Sequence, residues 1–183
     1  VLDKQIVHEE SADMIVPDIY PDVGCVILEN GTAYIKDRTA QKGRMLISGS
    51  AGVYVLCGSE DQSQMIRLNV PVHFAHFEDD PVIDSESKVT ADVCIRNIEV
   101  KMVNPRKINV KVYFLLNTAV YKKKSLELCT GISAEDQCGL QVKCENICFN
   151  AIRDIKEKSF TVIDEIDFDA ANTDCDILGS QLT

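Results

Sequence analysis

The chain has 183 residues, 45% of them apolar, enough for one ordinary domain with a piece of another and for a packed core rather than wholesale disorder. Its 19 Lys and Arg stand against 29 Asp and Glu, a formal charge of −10 that repels a phosphate backbone and excludes nucleic acid as an expected partner. No apolar run approaches the roughly 20 residues that cross a bilayer as a helix, so no membrane insertion is expected.

The chain opens on Val1, and no basic segment followed by an apolar stretch comes next, so it reads as a processed protein or an excerpt of a longer one. Residues 1–12 read as a lead-in, with His8-Glu9-Glu10 as part of a tail. The segment Val16-Pro17-Asp18-Ile19-Tyr20-Pro21-Asp22-Val23 carries two prolines four apart, each followed by Asp. Such a segment cannot be a helix interior and is expected to be stiff and extended.

Period-two alternation then dominates. Met45, Ile47, Gly49, Ala51, Val53, Val55 and Cys57 share one face, with Ser48, Ser50 and Gly52 on the other. Gly49 and Gly52 leave gaps that predict a bend, a bulge or the close approach of a neighbour. After the polar turn Gly58–Ser63, a second run places Ile66, Leu68, Val70, Val72 and Phe74 together, opposite Arg67, Asn69 and His73. Pro71 within it cannot donate a ladder hydrogen bond, which puts this strand at an edge or breaks it there.

An acidic loop, Glu78–Lys88, leads to Val89, Ala91, Val93 and Ile95 on odd positions and then Ile98, Val100 and Met102 on even ones. That switch of parity predicts a one-residue bulge near Arg96–Asn97. Asn104-Pro105-Arg106-Lys107 has the signature of a type I turn. The return strand carries Ile108, Val110, Val112, Phe114, Leu116 and Val120 inward. Strands are thus expected near 44–57, 64–77, 88–103 and 107–121.

Beyond Lys122–Lys124 the pattern changes. Ser133 with Asp136 reads as a capped helical turn limited by Gly139, and Cys144, Ile147, Cys148, Ala151, Ile152 and Ile155 fall at helical spacing. A strand through 140–149 fits nearly as well. The expected fold is mainly β: an antiparallel β-sandwich or barrel-like module with a short mixed α/β C-terminal extension. The expected organisation is a lead-in at 1–12, a β domain at 13–124, a connecting segment at 125–157 and the start of a second repeat at 158–183. The repeat rests on 160–166 and 173–178, which echo Gln5–Val7 and Pro21–Ile27.

Eight cysteines raise disulfide and metal readings. Cys25, Cys57 and Cys94 sit within apolar, strand-like runs, where a reduced thiol behaves as a small core hydrophobe. Cys138, Cys144 and Cys148 lack the close pairing of a zinc site, and no CxxC occurs. His73 and His76 before Glu78-Asp79-Asp80 resemble a metal cluster, but a strand sends 73 and 76 to opposite faces. Gly49–Gly52 lacks the lysine and the strand-to-helix context of a phosphate loop. No nucleophile with a base is legible, so neither an enzyme nor a cofactor is expected.

Together, PDIYPD at 17–22, YIKDR at 34–38 and NPRK at 104–107 resemble the SPOCS domain, the repeated module of clostridial spore-coat morphogenetic proteins, over Asp13–Tyr121. The resemblance implies a β-rich structural module of spore-coat assembly, working in the mother-cell cytoplasm at the forespore surface. Family members usually carry two such modules and a LysM domain. No LysM-like segment lies in these residues, and the family offers no catalytic residues to transfer. The expected partners are other coat-assembly proteins or further copies of the module. The expected contacts are Pro17, Asp18, Tyr20, Pro21 and Asp22 together with Met65 and Phe77 on the Pro71 strand, whose edge is open to pairing. The alternative is a cytosolic domain binding a small polar ligand or metal at a His73–Asp80 loop.

Overall fold

The computed structural model describes residues 2–125 and, beyond them, 127–129, 131, 141, 143, 145–148, 151–156, 158, 162–163 and 165. Six strands carry all the regular structure among these residues: β1 Leu2–Ile15, β2 Val23–Gln41, β3 Arg44–Ser59, β4 Met65–Asp79, β5 Lys88–Asn104 and β6 Lys107–Tyr121. They form two antiparallel three-stranded sheets, ordered β1-β6-β5 and β2-β3-β4. Packed face to face, the sheets make a β-sandwich. The four strands expected from alternation are all present.

The core follows from the alternation. Central strand β3 buries Met45, Ile47, Val53, Val55 and Cys57, and β4 buries Ile66, Leu68, Val70, Val72 and Phe74. From the opposite sheet, β6 buries Ile108, Val110, Val112, Phe114 and Leu116. Phe74 and Phe114 meet with ring centroids 4.5 Å apart. The gap at Gly49 is filled by the Phe74 ring, so close that a methyl group there would collide with it. At Gly52 nothing approaches, and the outer face of the sheet is dented instead.

β4 is an edge strand, and its register with β3 runs unbroken through Gly52↔Pro71. A proline that leaves the ladder intact has its missing donor on the free side. In β5 the register shifts between Ile95 and Asn97, the bulge that the parity switch demands. The β5–β6 turn is closed by the Asn104 side chain, whose Oδ1 accepts from the Arg106 amide at 2.9 Å.

Three expectations are corrected. The stretch expected as a lead-in, 1–12, is not one: residues 2–12 form most of β1, paired along its length with β6 from Leu2↔Val120 to Ile15↔Lys107. The segment after Val16 is not extended: Tyr20 N donates to Pro17 O at 3.0 Å, making a turn that carries the chain from one sheet to the other. Of the three cysteines expected inside, Cys57 is buried, but Cys25 and Cys94 are exposed; the Cys94 thiol faces outward and reaches the Leu115 carbonyl.

The chain divides into two compact units: the six strands belong to one, and the described residues from 127 onward to the other. Within the second, described residues make local pairs such as Lys143–Glu145 at 2.8 Å and belong to no helix or strand. The helical turn expected at Ser133 and nearly all of the second repeat expected at 158–183 lie outside the described residues, as does part of the element expected over 144–157.

Candidate interaction surface

Both sheets present the same end of the sandwich at the close of β1, β3 and β5 and the start of β2, β4 and β6. Three connections meet there: the β1–β2 corner at Val16–Asp22, the β3–β4 turn at 60–64 and the β5–β6 turn at Pro105–Arg106. Val16 and Val23, on either side of the corner, are wholly buried and anchor it in the core.

Arg106 holds the corner from the neighbouring turn. Its guanidinium donates to the Tyr20 carbonyl at 2.7 Å and the Val16 carbonyl at 3.0 Å, and pairs with Asp18 at 3.0 Å and Asp22 at 3.5 Å. Main-chain bonds run beside it, from Val16 N to Arg106 O and from Val23 N to Pro105 O, both 2.9 Å. Five donors in a rigid fork suit such a convergence of carbonyls and carboxylates. The β3–β4 turn is tied in by Glu60 N donating to Asp22 O at 2.8 Å. In that turn, hydrogen bonds from the Ser59 and Ser63 hydroxyls and the Ser63 amide hold the Asp61 carboxyl at about 2.

Around this clasp, large apolar side chains stand in solvent: Ile19 at 83% exposure and Ile15 at 71%, with Met65, Val103 and Met102 also exposed. Of the expected contact residues, Pro17, Asp18 and Asp22 are exposed, while Tyr20 and Pro21 are half-buried, Tyr20 against the core. Met65 belongs to this end. Phe77 does not: twelve residues along β4 at about 3.3 Å each set it roughly 40 Å away, where Arg44 lies over its ring. The expected set is therefore two surfaces rather than one. Alternation could not have found Ile15 and Ile19, because their exposure depends on where the corner turns.

The other candidate, the His73–Asp80 loop, is not a loop, since 73–79 belong to β4. His73 faces outward to Ser50 Oγ at 2.9 Å, and His76 faces inward. There His76 meets a residue read as a tail: its Nδ1 lies 3.4 Å from Nδ1 of His8 on β1. The rings are edge to face, with centroids 5.3 Å apart. On their far sides, His8 Nε2 lies 3.1 Å from Glu10 and His76 Nε2 lies 3.4 Å from Glu78. Lys4 completes the seam between Glu78 and Asp80; its bond with Glu78 raises the affinity of Lys4 for protons and depresses that of Glu78. No group of three or more His, Cys, Asp or Glu among the described residues is arranged to hold a metal.

On the outer face of β3 and β4, a groove of about 320 Å³ lies over Gly52 beside Tyr54, Asn69 and Pro71. The Arg67 guanidinium sits 5.3 Å from the centre of the Tyr54 ring. Among the described residues, no helix is long and apolar enough to cross a membrane. Comparison of the chain with family models, curated proteins and solved structures gives no match.

Proposed function

We propose that this chain is a non-enzymatic structural module that acts through protein–protein contacts made by the corner end of the sandwich. The observation that carries the reading is the exposure of Ile15, Ile19, Met65, Met102 and Val103 at the end of the sandwich whose corner Arg106 fixes. Exposed apolar side chains on a rigid end, interspersed with Asp18, Asp22 and Glu60, suit a contact surface of mixed apolar and polar character. Pre-organisation by the clasp lowers the ordering cost of binding.

The setting we propose is spore-coat assembly on the mother-cell side of the forespore, with coat proteins or further copies of the module as partners. Support comes from two of the three motifs that together carry the SPOCS resemblance, PDIYPD and NPRK. Far apart in the chain, they form one structural unit through Arg106. Capture of partners by the tagged chain from sporulating cells tests the reading. Ile19→Asp with Met65→Glu should abolish capture of coat proteins, while Phe77→Glu at the far end leaves it intact. Equal capture by all three proteins contradicts it.

A further inference from the structure

The seam between β1 and β4 contains a pair of imidazoles that face each other through like nitrogens. A carboxylate can only accept, so Glu10 on His8 Nε2 and Glu78 on His76 Nε2 place the ring proton of each neutral histidine on Nε2. That leaves both Nδ1 atoms as acceptors, and these two acceptors face each other at 3.4 Å. Two lone pairs cannot hydrogen-bond to one another; either a proton on one Nδ1 or a metal ion between the two nitrogens resolves the conflict, and the spacing admits the ion. Two nitrogens bound at about 2.05 Å to a tetrahedral ion lie about 3.4 Å apart. Carboxylates on the outer nitrogens are the usual support of metal-binding histidines, fixing the tautomer and raising basicity.

We propose that His8 and His76 together bind one divalent transition ion of the borderline class, such as zinc, with water in the remaining positions. Imidazole nitrogens suit this class. The surroundings are rich in carboxylates, with Glu10, Glu78 and Asp80 beside Lys4. Both histidine side chains keep just under a fifth of their surface in solvent, so the ion and its waters reach them along the seam. Because His8 is on β1 and His76 on β4, the ion ties one sheet to the other where the sandwich is edged by polar side chains. His73, three residues away on the outer face, takes no part. This site is independent of the proposed contact surface, which lies at the opposite end of β4.

The imidazole Cε1–H resonances of the full chain, followed by NMR during titration with zinc chloride, test it. The His8 and His76 signals are expected to shift together and saturate at one ion per chain, while the His73 signal stays in place. Saturating zinc should also raise the melting temperature by roughly 5 °C, a gain lost in His8→Phe, whose ring fits against Phe74 and Phe114. Zinc taken up by thiols acts alike on both proteins and moves neither inner imidazole. The proposal is overturned if the His8 and His76 signals are unmoved at about 1 mM zinc, the weak end of specific binding. It is equally overturned if His8→Phe gains as much stability as the wild type.

Discussion

Arg106 donates a 2.7 Å hydrogen bond to the main-chain carbonyl of Tyr20, 86 positions earlier in the chain. One side chain on a hairpin turn thereby sets the path by which the backbone leaves one sheet and enters the other. Its partners are two main-chain carbonyls, of Val16 and Tyr20, and two carboxylates, of Asp18 and Asp22. Arg106→Lys keeps the charge but loses the fork, and is expected to cost about 1–3 kcal/mol in urea unfolding. Asp18→Asn removes only a solvent-exposed carboxylate and should stay within about 0.5 kcal/mol. Equal losses in the two variants contradict the assignment.

Phe114 is fully buried against Phe74, which in turn occupies the space that Gly49 leaves empty. Phe114→Ala is expected to cost about 3–5 kcal/mol. Gly49→Ala, an enlargement by a single methyl group, should also destabilise, by about 1–3 kcal/mol, because the Phe74 ring has nowhere to move in a packed core. A neutral Gly49→Ala in chemical denaturation contradicts this packing.

Much of this fold is legible in the sequence, and the exceptions have physical causes. Strands β3, β4 and β6 alternate cleanly because one face of each is in the core, and β5 betrays its bulge by changing parity between Ile95 and Ile98. β1 hides because its inward positions include Lys4, His8 and Glu10, which satisfy one another and β4 across the seam instead of packing as apolar groups. β2 hides because three register shifts, beginning at Val23/Cys25, break its period and leave Ile27 and Leu28 exposed. The candidate site was half visible. PDIYPD and NPRK stand out as motifs, but their meeting through Arg106 is a long-range contact that no local pattern encodes.

Several carboxyls bind protons less readily in the fold than in an unfolded chain. Asp61 falls to about 2 through its bonds to Ser59 and Ser63; Asp13 is lowered by Lys107 and Asn109, and Asp84 by Lys122 and Ser87. A depressed carboxyl lends its stability in full above the ordinary value of 3.8 and loses it as pH falls through the folded value. The melting temperature should therefore hold steady at mildly acidic pH, drop between about pH 4 and pH 2, and drop less in Asp61→Asn. A melting temperature unchanged down to pH 2 contradicts this.

Thiol reactivity should divide by face. Burial pushes the Cys57 thiol up, whereas Cys25 and Cys94 are exposed. Maleimide at neutral pH should label Cys25 and Cys94 within minutes and Cys57 only on unfolding, read by peptide mass. Labelling of Cys57 at the rate of Cys94 in the folded chain contradicts the burial of this strand.

The central claim is that the corner end of the sandwich, and not the far end of β4, is where partners bind. Hydroxyl-radical footprinting of the free chain and of the partner-bound chain captured from cells reads this directly, because methionine and phenylalanine side chains oxidise when exposed. Met65 and Met102 at the corner end, at 55% and 40% exposure, should be oxidised in the free chain and protected in the complex. Phe77 at the far end, 56% exposed, should react equally in both. Protection of Phe77 with Met65 and Met102 as reactive as in the free chain contradicts the account.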